Sequence, residues 1–80
     1  MFRRKLYQRG TAAGVETLKV VGSFDDNGGD CEIRVTHTVA DSVVDDRIGY
    51  HGPAGDQWLL NRHASWTGDG FELISSGPDY

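Results

Sequence analysis

Two alternating runs, Thr17–Phe24 and Cys31–Val39, flank the segment Asp25-Asp-Asn-Gly-Gly-Asp30, and this pattern constrains the chain more than any other feature. In the second run Cys31, Ile33, Val35, His37 and Val39 share one face, while Glu32, Arg34, Thr36 and Thr38 share the other. That period is the mark of a strand with one dry face. Asn-Gly between such runs predicts a hairpin, because a type I′ turn needs positive φ at both central residues.

Two registers keep apolar opposite apolar. With Asn27-Gly28 as the loop, Phe24 faces Cys31, Val20 faces Val35 and Leu18 faces His37. With Gly28-Gly29, Phe24 faces Ile33 and Leu18 faces Val39. A three-residue loop would set Phe24 against Glu32, since a one-residue slip exchanges the faces of a strand.

The rest of the chain is read around this hairpin. Residues 1–14 are expected to form a basic N-terminal arm or edge strand, with 8–14 as a loose connection. Ala40–Asp46 suits a loop or one helical turn, and Arg47–His51 a short strand closed by the turn residues Gly52-Pro-Ala-Gly55. Trp58, Leu60, Ala64 and Trp66 alternate, so a second hairpin with Gly68-Asp69 as its loop is expected, pairing Trp66 with Phe71. The rival is a short helix near residues 56–64, with Asp56 as its N-cap. Residues 76–80 read as a tail. The expected fold is therefore a single domain over 1–80, mostly β, its small antiparallel sheet curled into a barrel or sandwich. The alternative is α+β, with the one short helix packed on the sheet.

Charge is distributed unevenly. Residues 1–19 carry a net +4 and residues 20–80 a net −8, within a total of −4. Such a body repels phosphate, so direct nucleic-acid binding is not expected, although Arg3, Arg4, Lys5, Tyr7 and Arg9 interleave cations with a ring. The longest apolar runs are too short to span a membrane, and no apolar stretch follows the basic start, so no secretion signal is read. One cysteine excludes an internal disulfide and suits a reducing, cytoplasmic setting.

Candidate chemistry is sparse. Cys31 and His37 share a face but stand about 20 Å apart at strand rise, and His51 and His63 lie at no metal-ligand spacing, so no metal site is expected. His37 is read as a core-edge histidine with one hydrogen bond, and His51 and His63 as exposed. The Asp25–Asp30 segment offers the oxygen ligands calcium prefers but lacks the spacing of an EF-hand, and a solvated tip is the expectation. There is no Gly-x-Ser-x-Gly elbow, and Cys31 sits where a thiol is inert, so no catalytic residue, enzyme activity or cofactor is expected.

What remains is binding. Asp25, Asp26, Asp30, Asp45 and Asp46 are read as phosphate-like charges, with Tyr50 and Trp58 as aromatic anchors. Together they would fit a protein partner with a basic surface, such as a nucleic-acid-handling complex, in which carboxylates take the places of phosphates. In size and charge, though in no motif, the chain is similar to small acidic inhibitors carried by phages and other mobile elements, anti-CRISPR proteins among them. Two other readings stand beside this one: a self-associating structural or assembly protein whose edge strands pair between copies, and a small ligand-binding regulator.

Overall fold

The computed structural model describes residues 2–24 and 31–77. Among these residues, five strands form one antiparallel sheet: β1 (Phe2–Thr11), β2 (Gly14–Phe24), β3 (Cys31–Val39), β4 (Ser42–Tyr50) and β5 (Glu72–Gly77), in the order β4-β3-β2-β1-β5. A 3₁₀ turn (Gly52–Ala54) leads into α1 (Gly55–Gly68), the one α-helix among the described residues, which crosses one face of the sheet and returns the chain to β5 beside β1. The sheet is open, so the α+β alternative describes it and the closed barrel or sandwich does not.

The register of β2 on β3 is the first of the two expected: Phe24 opposes Cys31, Val20 opposes Val35 and Leu18 opposes His37. The turn residues themselves, 25–30, lie outside the described residues. This register sends Leu18, Val20, Cys31 and Ile33 to the face under α1. There they join Tyr7 of β1, Leu59 of α1 and Phe71, with Phe24, Val35, Trp58 and Trp66 packed around them. Tyr7 is wholly enclosed, and its hydroxyl is hydrogen-bonded to His63 Nδ1 at 2.8 Å.

Four expectations are corrected. Within the expected arm or edge strand at residues 1–14, Phe2–Thr11 is an inner strand, since β1 pairs with β2 along its whole length and with β5 from Arg4 to Gln8. Residues 40–46 are neither loop nor helical turn. Ala40 and Asp41, at φ +50° and +67°, make a tight turn between Val39 and Ser42, and β4 begins at once. A Val39–Ser42 pair flanking two residues at positive φ is the geometry of a type I′ turn, here built without glycine.

The second hairpin is replaced by α1. Its inward stripe is Gly55, Leu59, His63 and Trp66, at helical spacing, while Leu60 and Ala64 point to solvent. The helix is longer than the short one weighed at 56–64, and Ala54, not Asp56, occupies the N-cap. It stops in a Schellman arrangement: Gly70 sits at φ +96°, its N–H donates to Thr67 O, and Phe71 N–H donates to Trp66 O. Finally, Ser76 and Gly77 are not a tail but pair with Lys5 and Arg4 at the end of β5. Residues 78–80 lie outside the described residues.

Gly55 fixes how closely α1 approaches the sheet. A Cβ there would stand 2.4 Å from Cys31 Sγ and 2.8 Å from Cys31 Cβ. Both groups are buried, so Gly55→Ala is expected to destabilise the fold by about 1–3 kcal/mol, as overpacked cores do; a denaturant midpoint unchanged from wild type would contradict that contact. In the opposite direction, replacing Ala40-Asp41 by Asn-Gly is expected to add about 1 kcal/mol, by placing at positive φ the two residues that tolerate it best, readable as a rise in thermal midpoint.

Candidate interaction surface at strand β4

β4 is the outermost strand on its side, and every one of its nine residues except Gly49 is exposed. Its exposed side chains include Val43, Val44, Ile48 and Tyr50, the last 79% accessible. The strand carries a bulge: Asp45 opposes His37 and Val43 opposes Thr38, which leaves Val44 without an opposite residue on β3.

Period two splits the Asp45-Asp46-Arg47 triplet between the two faces of the sheet. Asp46 lies on the uncovered face, where Arg34 Nε and Nη2 donate to its two carboxylate oxygens and Thr36 Oγ1 donates to Oδ1. The Arg34 guanidinium, first among the causes, holds the Asp46 carboxyl below the usual carboxylate range. Asp45 lies on the helix side, paired with Arg47 at 3.0 Å. Asp45 and Asp46, both read as phosphate-like charges, are thus on opposite faces, each engaged by an arginine of the same chain.

On the helix side a cleft of about 240 Å³ opens between α1 and the β3–β4 half of the sheet. Leu18, Val35 and His37 form its floor, Asp45 and Arg47 its β4 rim, and Trp58, Arg62 and Trp66 its helical wall. Trp58 meets Trp66 edge-on at 6.4 Å, stacks near His51 at 4.5 Å, and carries the Arg62 guanidinium over its ring at 5.2 Å. Trp58 is therefore half-buried rather than a free anchor, whereas Tyr50 is exposed at the strand end. A hydrogen bond to Glu32, followed by that residue's charge, pushes the Tyr50 hydroxyl above its ordinary value.

Behind the cleft stands Glu16, which the sequence pattern did not single out. Its side chain is 11% exposed, and it accepts from Arg9 Nε and Nη2 at 3.1 and 2.9 Å while its other oxygen lies 2.7 Å from His37 Nε2. The hydrogen bonds from His37 and then Arg9 hold its carboxyl below the ordinary value. His37 sits at the core edge as expected, but His63 is not exposed: it is half-buried against Tyr7. The Cys31 thiol is buried and pushed up, first by burial and then by the Asp56 carboxylate. Among the described residues no three His, Cys, Asp or Glu side chains stand together as a metal site.

Two cations of the N-terminal strand are met within the chain. Arg3 is paired with Asp56 and stacks over Phe24, and Arg9 is paired with Glu16. Asp25, Asp26 and Asp30 lie outside the described residues. No helix among those described is long and apolar enough to cross a membrane. Comparison of the chain with protein-family models, curated proteins and solved structures returns no match.

The Glu16 network gives a pH signature. A carboxyl whose folded pKa is depressed contributes stability above its unfolded pKa, and that contribution is lost as pH falls through the folded value. The stability difference between wild type and Glu16→Gln is therefore expected to be fully present above about pH 5 and to shrink as pH falls below about 4. Thermal melts of both proteins across that range check it; parallel curves would remove Glu16 as the ionised hub.

Proposed function

We propose that the chain is a small, non-catalytic, cytoplasmic binding protein that engages another polypeptide through the outer edge of β4 and the cleft beside it. The observation that carries this reading is the exposure of Val43, Val44, Ile48 and Tyr50 along a strand whose outer edge is unpaired. An unpaired strand edge offers a row of backbone donors and acceptors to any extended segment, with pockets for alternate side chains supplying selectivity. The bulge at Val44 and the charges at Asp45, Asp46 and Arg47 are devices that blunt such an edge. The apolar side chains on either side of them are not, and clustered exposed apolar side chains mark contact surfaces. The absence of catalysis fits a buried thiol, histidines already engaged by Glu16 and Tyr7, and a cleft rim whose acid is held by its own arginine.

The geometry favours this over phosphate mimicry. Carboxylates at Asp45 and Asp46 are each paired within the chain, which shortens the reach of their field. An inhibitor of a basic, nucleic-acid-handling surface would accordingly draw its charge from Asp25, Asp26 and Asp30.

One capture experiment separates the two. Wild type, Val44→Lys/Ile48→Lys and Asp25→Lys/Asp26→Lys/Asp30→Lys are immobilised in parallel and exposed to the native cell lysate. Loss of the bound species with the β4 variant alone is expected. Loss with the tip variant alone would move the contact to the hairpin tip and overturn the edge reading, and unchanged capture by both would overturn both.

A further inference from the structure

We propose that the polypeptide β4 takes is β4 of a second copy, paired antiparallel about a two-fold axis through Asp46, so that two five-stranded sheets become one continuous sheet. This rests on the reading of β4 as the interaction edge and names its occupant. The argument is register. A two-fold axis normal to a sheet keeps each residue on its own face, so only partners of the same parity can oppose one another.

Centred on Asp46, the pairing sets Asp45 against Arg47 of the second copy and Arg47 against Asp45 of the second copy, both on the helix side. On the other face, Val44 meets Ile48 and Ile48 meets Val44. Each neighbouring register fails. Centred on Asp45, Val43 meets Arg47 and Val44 meets Asp46. Centred on Arg47, the two guanidiniums oppose each other and Asp46 meets Ile48. Centred on Ile48, Asp46 meets Tyr50, and Asp45 and Arg47 face no opposite charge.

The one like-charged contact, Asp46 against itself, is compensated in place. Each copy brings the Arg34 guanidinium that already grips its carboxylate, so two acids and two bases meet at the axis. Opposite charges directly across a ladder attract and like charges repel, so the Asp46-centred register is selected on both faces at once. Among the described residues, the α1 cleft opens beside β4 on the helix side, and Asp45 and Arg47 form its rim. The two-fold sets the two clefts facing each other across the seam, as one groove floored by the crossed Asp45–Arg47 pairs and walled by Trp58 and Arg62 of each copy.

The test uses charge exchange on the full chain, read by sedimentation velocity and native mass spectrometry. Wild type is expected to show a concentration-dependent dimer. Asp45→Arg and Arg47→Asp each replace two attractions by two repulsions and are expected to weaken association by about tenfold or more. An equimolar mixture of the two variants is expected to recover it as a heterodimer, because the paired arginines of one chain then face the paired aspartates of the other. Recovery requires both variants to be folded, and the Asp45–Arg47 contact within one strand cannot produce it.

The self-pairing is overturned by a wild type that stays monomeric up to about 1 mM. It is equally overturned by single variants that associate as tightly as wild type, or by a mixture that fails to associate. A monomeric wild type would leave β4 as an edge for a different polypeptide, which the capture comparison judges separately.

Discussion

The contact on which the rest of this fold turns is the one between Arg9 and Glu16. A carboxylate this enclosed is tolerated only when its charge is met by donors, and Glu16 has donors on both sides, Arg9 from β1 and His37 from β3. Arg9 does more than neutralise it. Its Nη1 donates to the Asp69 carbonyl at the end of α1, and its guanidinium lies over the Phe71 ring at 4.2 Å. One side chain therefore ties two strands, the helix terminus and the entry to β5. A slip of one residue in any of β1, β2 or β3 would carry a member of this set to the opposite face and leave the others unpaired.

That tie also explains why β4 is bare. Five strands at about 4.8 Å spacing make a sheet roughly 19 Å across, while one helix with its side chains is about 10 Å wide. With its C-terminal end held over β1 by Arg9 and Tyr7, α1 covers the middle of the sheet, where Tyr7, Leu18, Val20, Cys31 and Ile33 are buried. β4 lies beyond its reach. Exposure of the strand is thus a consequence of geometry in any chain with one helix and five strands. What geometry does not dictate is the choice of Val43, Val44, Ile48 and Tyr50 for those positions, and that choice is what carries the functional reading.

The β2–β3 pairing was legible because its signal is local and doubled: strict alternation on both runs, and turn residues between them. Other parts were hidden for identifiable reasons. Trp58, Leu60, Ala64 and Trp66 satisfy a strand period, and the exposed Leu60 blurs the helical stripe that Gly55, Leu59, His63 and Trp66 also satisfy. The signal that could have decided it is Gly70 placed just beyond the last helical residues, the mark of a C-terminal stop. β4 was obscured twice, by an Ala40-Asp41 turn that has neither glycine nor asparagine and by three successive charges that look like loop. Glu16 gave no local signal at all, since its meaning comes from Arg9 and His37, seven and twenty-one residues away.

The surface acids show the same limit more sharply. Asp45 and Asp46 are neighbours in sequence, and a net charge summed over the segment treats them as one patch. In a strand they cannot be one, because consecutive side chains leave opposite faces, and here each meets a different arginine. A paired charge has a dipolar field that fades within a few ångströms of solvent and salt, so it steers little at a distance. It still discriminates at contact, where a carboxylate set opposite a guanidinium is favoured and one set opposite a carboxylate is not. A strand edge that carries charges of both signs, with apolar residues flanking them, is therefore poorly suited to attract a partner from afar, and well suited to fix the register of one that has arrived.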